Sequence, residues 1–407
     1  MLQTTIAGYV VHPNSESGLE APMRLLLTGL LITSSIVMFE PAPCDLLFVL
    51  MLPFALWYGY SMLPKRMHVS LYIALYLFVF ANLISLMFVD DIMSGISFFL
   101  TTLYLILFML LFSDIVGRHG KPAVDLMFTA FIIAAVITST IGILARFHLI
   151  PHPEIFFRDE YGMRIKSTFK DPNVFAPFLV AATLITLGKV LEAARVNLKL
   201  LFVLCLLVAS ILLAFSRGAY LHMLISLAVF TSIHLLIIRE RQASSRLITS
   251  GSLLLLIGLP VLIWLLIASG LVDFFLARLS LQSYDQDRFG TQAIALSIAL
   301  DWPFGIGPGQ FTGARFGHAT HNLYLRVFVE NGLLGLFGLL LFIGSWLYLC
   351  FRQILRQSPF RGIYLICLSV LIGMLVESVI IDTLHWRHAF FLLAIPIGLL
   401  MYEEKCN

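Results

Sequence analysis

Residues 321 to 350 read HNLYLRVFVENGLLGLFGLLLFIGSWLYLC, and the fold predicted for this chain rests first on this stretch. From residue 323 onward it is mostly apolar, and it is longer than the ~20 residues that a helix needs to cross the hydrocarbon core of a bilayer. Polar residues lie at its start: His321 and Asn322 precede the apolar run, and Arg326 lies about one helical turn into it. These residues, 321–326, are termed the polar threshold below. The stretch therefore predicts a membrane-spanning helix that starts beside chemically active side chains.

The composition of the whole chain supports a membrane protein. Of 407 residues, 60% are hydrophobic and 12% are charged, and the mean hydropathy is +0.96. A soluble globular domain carries about 25% charged residues, so this composition excludes one. The formal net charge of +3 is small, and the five cysteines show neither metal-site nor disulfide spacing. We therefore expect one polytopic, all-α membrane domain over residues 1–407.

Twelve apolar segments are long enough to be read as membrane spans. They cover residues 23–39, 46–62, 69–89, 93–113, 124–146, 173–190, 198–215, 219–238, 248–269, 323–350, 361–381 and 388–402. The polar N-terminus lacks a cleavage site after an apolar core, so the first span is expected to act as an uncleaved signal anchor. The last span is the least certain of the twelve because it is short.

Basic residues alternate between the connecting loops in a way that fits this count. Cytoplasmic loops of membrane proteins are enriched in Lys and Arg. Every loop that follows an even-numbered span is basic: Lys65 and Arg66; Arg118 and Lys121; Lys189, Arg195 and Lys199; Arg239, Arg241 and Arg246; Arg352, Arg356 and Arg361. The alternation assigns these loops and both termini to the cytoplasm. The loops after odd-numbered spans are termed outer loops below.

Three outer loops carry positive charge that the alternation does not explain. The loop after span five contains Arg146, Arg158, Arg164, Lys166 and Lys170; the turn after span seven contains Arg217; the loop over 270–322 contains Arg278, Arg288 and Arg315. A long loop can cross the membrane whatever its charge, but Arg217 lies in a tight turn at the membrane boundary. Guanidinium groups pair bidentately with phosphate oxygens, so an anionic ligand on the outer side is indicated.

Two helix starts lie among these charges. Asp171-Pro172-Asn173 predicts a turn followed by a helix, and a helix N-terminus beside Lys166 and Lys170 suits a phosphate group. An ordinary capped helix is the alternative. The segment 289–300, which follows Arg288, has a helical apolar pattern and is expected to lie as an amphipathic helix on the outer face. The stretch GIGPGQ, 305–310, lacks the context of a nucleotide-binding loop and predicts a tight turn.

The polar threshold at 321–326 offers the remaining candidates. His321 could act as a general base near neutral pH. Asn322 could hold a sugar hydroxyl or cap the helix, and Arg326 could face a lipid phosphate or Glu330 one turn further on. The outer acids Glu40, Asp45, Asp90 and Asp91 form no evident cluster with histidine, so metal-independent chemistry without a cofactor is expected.

At these residues the chain resembles the O-antigen ligase and polysaccharide polymerase superfamily of bacterial envelopes. The resemblance covers about residues 160–350 and rests on TFKDPNVFAPFLV, FSRGAYL, DRFGTQAIALSIALDWPFGIGPGQF and HNLYLRVFVENGLLG. An Arg-x-x-x-Leu pattern is formed by Arg217 and Leu221. A histidine followed at a distance by Gly-x-x-Gly is formed by His321, Gly332 and Gly335.

The resemblance implies a fold related to the C-type membrane glycosyltransferases, with an outer active site in the bacterial inner membrane. It implies an inverting transfer of a glycan from undecaprenyl pyrophosphate, with Arg217 and Arg288 holding the pyrophosphate and His321 as the base. Secondary substrate contacts would come from Arg164, Lys166, Lys170, Asn173, Asn322 and Arg326. In a ligase the acceptor is a sugar of the lipid A-core. The expected partners are these two substrates and membrane lipids, with no nucleic acid, and the protein is expected to be a monomer.

Alternatives stay open at the level of sequence. A polymerase of the same superfamily would pass the glycan to another lipid-linked repeat unit; the long loop over 270–322 and the span count favour the ligase. A lipid or polysaccharide transporter is the second alternative, because Glu330 and Glu377 lie within apolar spans. A purely structural membrane subunit would leave Arg217 unexplained.

Overall fold

The structure is a computed structural model that describes residues 19–158, 164–193, 195, 197–238, 267, 283–317 and 319–406, without the side chains of 283–288. The described part of the structure is 76% helical. Outside the helices, the described residues include an isolated antiparallel bridge between Phe157 and Ile165. The all-α architecture predicted from composition is therefore confirmed.

The helices are numbered in chain order. They are α1 Ala21–Thr33, α2 Pro43–Trp57, α3 Val69–Ser85, α4 Ile92–His119, α5 Lys121–Arg146, α6 Pro172–Glu192, α7 Leu198–Leu213, α8 Arg217–Ile233, α9 Ser283–Asp301, α10 Gly313–Phe316, α11 Leu323–Leu355, α12 Arg361–Glu377 and α13 Arg387–Cys406. A 3₁₀ turn, Leu86–Phe88, follows α3, another covers Pro153–Phe156, and a π-helical turn, His234–Ile238, extends α8.

Six helical segments in the described part of the chain are long and apolar enough to cross a membrane. They are Val69–Phe88, Ile92–His119, Lys121–Arg146, Pro172–Glu192, Arg217–Ile238 and Leu323–Leu355. Helices α1, α2, α7, α12 and α13 also coincide with predicted spans, but they are shorter or carry more charge. The ninth predicted span, 248–269, lies outside the described residues except for residue 267.

One predicted boundary is wrong. The helix expected over 289–300 begins earlier, at Ser283, so Arg288 lies within α9 rather than before it. The first residues of this helix, SYDQDR, carry no apolar repeat, and a helix start without such a repeat gives little signal in a sequence. The side chain of Arg288 and the positions of Arg239, Arg241, Arg246 and Arg278 lie outside the described residues.

Close helix pairs form where a glycine removes a side chain. Helix α3 packs against α11, and a Cβ at Gly338 would lie 2.8 Å from the Phe78 nitrogen. Helix α4 packs against α13, and a Cβ at Gly398 would lie 2.6 Å from the Ser113 oxygen. Membrane helices associate through such small residues because their surroundings are as apolar as their side chains. Helix α6 is the most enclosed of the membrane-length segments, with 89% of its apolar window buried.

Helix α11 is kinked at Gly332, which has φ 68° and ψ −171°. The kink leaves main-chain groups without helical partners, and the loop over 303–307 supplies them. Ile306 N donates to Val329 O at 2.9 Å, and Leu333 N donates to Pro303 O at 2.9 Å. Because buried main-chain polar groups must be paired, this loop supplies the hydrogen-bond partners that the kinked helix lacks.

Side-chain contacts between loops join segments that the charge alternation placed on the same side. Lys170 pairs with Glu40, and Arg315 pairs with Asp90; all four residues lie in outer loops. At the other set of helix ends, the Tyr60 hydroxyl donates to Glu20 at 2.9 Å. In each of these contacts, an even number of predicted spans separates the two residues, as the charge alternation requires.

Candidate functional site

Two of the motifs singled out in the sequence meet at the start of α6. The Asn173 Oδ1 atom accepts hydrogen bonds from Arg164 Nη2 at 3.0 Å and from Ser216 Oγ at 2.9 Å. Arg164 Nε also donates to the Ala214 carbonyl oxygen at 3.2 Å. The loop before α6 and the turn before α8 are thus tied together through one amide side chain, which is also the predicted substrate contact Asn173.

The start of α8 follows directly from this junction. Ser216 is its N-cap, with Oγ accepting from Ala219 N at 3.4 Å, and Arg217 is the first helical residue. Serine is a favoured N-cap because its oxygen satisfies an otherwise unpaired amide of the first turn. Arg217 therefore directly follows Ser216, which hydrogen-bonds Asn173, and it lies at a helix end where the dipole is positive.

The start of α6 is already occupied by a carboxylate. Asp171 caps this helix, and its Oδ1 accepts from Asn173 N at 2.7 Å. Arg158 Nε lies 3.7 Å from Asp171 Oδ2. Asp171 therefore caps α6, and a phosphate directly on the first turn of this helix would have to compete with the Asp171 carboxylate.

The two lysines near this helix have different surroundings. Lys170 is half exposed and pairs with Glu40. Lys166 is partly buried, and its main-chain N donates to Phe156 O at 2.9 Å. Since Glu40 offsets the charge of Lys170, Lys166 is the better candidate of the two for contact with an anion.

The polar threshold of α11 is built as a helix cap. Asn322 Oδ1 accepts from Leu325 N at 3.0 Å, so the capping role predicted for Asn322 is confirmed. His321 precedes it with φ 45°, a left-handed conformation that is uncommon for a residue with a side chain. This backbone geometry turns the chain sharply from the loop into α11.

Arg326 is part of an internal ionic network, not an exposed phosphate clamp. Its guanidinium pairs with Asp382, lies 3.4 Å from Glu330 Oε2 and sits 4.4 Å above the Phe98 ring centroid. Of the two interpretations left open by the sequence, the contact with Glu330 is observed. The second acid, Asp382, was missed because it lies 56 residues away in the chain and no local spacing connects the two.

Glu330 holds the glycine-rich turn. It is completely buried, and its carboxylate accepts from Gly309 N at 2.9 Å and from Phe311 N at 3.1 Å. The tight turn predicted for GIGPGQ is confirmed: Gly305, Gly307 and Gly309 all have positive φ. The turn thus binds a carboxylate from its own chain.

The C-terminal end of α12 contacts the N-terminal parts of both α8 and α11. His222 Nδ1 on α8 lies 2.9 Å from Glu377 Oε2, and both side chains are buried. The next residue, Ser378, accepts through its main-chain oxygen from Leu323 N at 2.9 Å. The helix ends that carry Arg217 and His321 therefore both contact the C-terminal end of α12.

The four outer acids whose roles were undefined all have protein partners. Asp45 makes a bidentate pair with Arg387, with contacts of 2.8 and 2.7 Å, and accepts from the Tyr104 hydroxyl at 2.8 Å. Asp91 caps α4, while Asp90 and Glu40 pair with Arg315 and Lys170. Within the described residues, the His, Cys, Asp and Glu side chains form no group of three arranged to hold a metal ion.

Fold and site together define a helical membrane protein in which the ends of α6, α8, α11 and α12 gather polar and charged groups. No protein-family model matches the chain, and no curated protein matches it either.

Proposed function

We propose that the protein is a membrane glycosyltransferase of the O-antigen ligase type. It transfers a glycan from undecaprenyl pyrophosphate to a sugar hydroxyl of the lipid A-core, with inversion and without a metal ion. The observation that carries this proposal is the junction of Arg164, Asn173 and Ser216, which ties the first turn of α8 to the loop before α6. A helix N-terminus binds phosphate groups through its free amides, and an arginine guanidinium binds them bidentately.

In the proposed reaction, the acceptor hydroxyl oxygen attacks the anomeric carbon of the donor and the bond to pyrophosphate breaks. His321 takes the hydroxyl proton, and the leaving pyrophosphate keeps the bonding electron pair. Arg217, together with Arg288 on α9, offsets the charge that develops on the pyrophosphate leaving group, since preorganised cations stabilise charge that develops in a transition state. Arg164 and Lys166 are secondary contacts.

The proposed setting is the bacterial inner membrane, with twelve spans, both termini in the cytoplasm and the active site facing the periplasm. Support comes from the charge alternation and from the pairing of outer loops with one another, as between Lys170 and Glu40. The two acids that motivated the transporter alternative have partners in the protein: Glu330 is bound by main-chain amides and Arg326, and Glu377 lies beside His222.

The test is transfer by the purified protein, given a defined undecaprenyl-pyrophosphate glycan and lipid A-core. Replacing His321 by Ala should lower the rate by about 10²- to 10⁴-fold, the usual contribution of a positioned base. His148→Ala is the matched control, since His148 is also a positive-φ residue in an outer loop but is exposed. Normal transfer by His321→Ala would contradict the assignment of the base.

The same assay separates the related activities. A single addition to lipid A-core supports the ligase, whereas a ladder formed from donor alone supports the polymerase. Undiminished transfer in EDTA is expected. Movement of the lipid across liposome membranes without any glycan transfer would overturn the proposal in favour of a transporter.

A further inference from the structure

A polar cleft lies between the start of α4 and the loop that leads to α10. Its volume is about 320 Å³, and it is lined by Asp90, Asp91 and Ser94 on one side and by Gly309, Gln310, Thr312 and Arg315 on the other. None of these seven residues belongs to the junction of Arg164, Asn173 and Ser216. The cleft is therefore a separate feature of the outer surface.

The two walls of the cleft are fixed to each other by a buried amide. Gln310 is 5% exposed; its Oε1 accepts from Asp90 N at 3.2 Å and Asp91 N at 3.1 Å, and its Nε2 donates to Asp91 O at 3.1 Å. Arg315 Nη2 adds an ion pair with Asp90 Oδ2 at 2.6 Å. Because both walls are joined in this way, the cleft is formed before any ligand binds.

The charge of the cleft sets it apart from the proposed pyrophosphate site. Asp90 and Asp91 contribute two negative charges and Arg315 one positive charge, which leaves a formal charge of −1 near neutral pH. A net negative charge disfavours a phosphate group here, whereas the carboxylates and the hydroxyls of Ser94 and Thr312 can hydrogen-bond the hydroxyl or ammonium groups of a sugar. The chemistry therefore favours a saccharide without phosphate.

The cleft is also close to His321 along the chain. His321 lies six positions after Arg315 in the chain, so the two Cα atoms are at most about 21 Å apart. An oligosaccharide that occupies the cleft can therefore lead toward the imidazole. We propose that this cleft binds an uncharged or amino-bearing, hydroxyl-rich saccharide and discriminates against phosphorylated ones; that this saccharide is the glycan acceptor rests on the function proposed above.

Binding is tested directly, without transfer, on the full-length protein in lipid nanodiscs by saturation-transfer NMR. The probes are maltotriose, the glucosamine trimer chitotriosamine and glucose 6-phosphate. The two unphosphorylated probes should bind and glucose 6-phosphate should bind at least about tenfold more weakly. Thr312→Trp, which fills the cleft, should remove the signal from all three probes.

Reversing the charge of Asp90 tests the predicted discrimination against phosphate directly. Asp90→Arg should weaken binding of chitotriosamine about tenfold and strengthen binding of glucose 6-phosphate. Asp301→Arg is the matched control, because Asp301 is exposed at the end of α9 but does not line the cleft. Equal binding by the wild type and Thr312→Trp, or a preference of the wild type for the phosphate sugar, would overturn the proposal.

The two proposals fail separately. Saccharide binding that is lost in Thr312→Trp, in a protein that transfers no glycan, leaves the cleft assigned and removes the glycosyltransferase. Transfer that depends on His321 but whose acceptor KM is unchanged by Thr312→Trp removes the acceptor site and leaves the enzyme.

Discussion

Two charged residues in the described part of α11, Glu330 and Arg326, have specific partners inside the protein. Glu330 is fully buried, yet it accepts two main-chain N–H bonds and lies beside the Arg326 guanidinium. Arg326 in turn pairs with Asp382. Removing one member of a buried ion pair is costly because the other charge stays without compensation. This network fixes the glycine-rich turn to the start of α11.

Glu330→Ala should therefore destabilise the protein by about 3 kcal/mol or more, because it removes an ion-pair partner and two hydrogen-bond acceptors at once. Glu330→Gln retains an oxygen acceptor and should cost less. Reversible unfolding in detergent micelles measures both. Glu404→Ala, at an exposed position of α13, is the control and should change stability by no more than about 0.5 kcal/mol. Equal stability of Glu330→Ala and the control would contradict the network.

His385 lies in the loop between α12 and α13 and is held in its neutral form. Its Nε2 lies 2.9 Å from Thr102 Oγ1, and its ring centroid is 4.3 Å from that of Phe98. Burial lowers the pKa of His385 to about 4; the Arg326 and Arg387 guanidinium groups act in the same direction, and Asp382 opposes them. In an unfolded chain the pKa is about 6.5.

Stability should therefore fall as the pH is lowered from about 6.5 to about 4. In that window the unfolded chain binds a proton at His385 and the folded protein does not, so protons favour unfolding. Above this window the group makes no difference. His385→Gln should lack this component, which amounts to at most about 1.4 kcal/mol per pH unit. Melting temperatures of the two proteins compared between pH 7.5 and 4.5 test this, and parallel curves would contradict it.

At the scale of elements, the kink in α11 decides how the long outer loop is attached. Gly332 adopts φ 68°, and a Cβ there would overlap the Pro303 carbonyl oxygen. The sequence marks this position only as a glycine of a Gly-x-x-Gly pattern. Its positive φ accompanies the contact between α11 and the 303–307 loop. That contact joins distant residues, so the sequence around Gly332 does not reveal it.

Gly332→Ala should destabilise the protein by about 2 kcal/mol or more, because a left-handed conformation costs a residue with a Cβ about 1–2 kcal/mol before any overlap is counted. Gly344→Ala in the same helix is the matched control, since no atom lies within 4 Å of its added Cβ. That change should be neutral or slightly stabilising. Thermal unfolding of both variants is the measurement, and similar losses would argue against the kink.

Helix ends were predicted better than helix partners. Asn322 and Asp171 were read as helix starts because capping depends on residues two or three positions apart. The hydrogen bond between Arg164 and Asn173 joins two residues that the sequence had predicted as substrate contacts. The second hydrogen bond to Asn173 comes from Ser216, which lies 43 residues away in the chain. Such a contact depends on which helices pack together, and hydropathy does not encode that choice.

At the scale of the whole molecule, the proposed topology predicts opposite accessibility for two loops. In a background without exposed cysteine, Glu40→Cys between α1 and α2 should react with a membrane-impermeant maleimide on intact spheroplasts. Lys121→Cys at the start of α5 should react only after the membrane is permeabilised. Both native side chains are at least 46% exposed, so accessibility to the reagent is limited by the membrane. Labelling of both from the same side would contradict the alternation.

Hydrophobic length is a local property that controls insertion into a bilayer, so the sequence alone was enough to predict a helical membrane protein and the position of most of its helices. The sequence also singled out Arg164, Arg217 and His321. Only the tertiary structure decided that Arg326 is neutralised by Glu330 and Asp382, and that Gln310 joins the two walls of a polar cleft. These pairings lie up to 220 residues apart, and packing alone brings their partners within hydrogen-bonding distance.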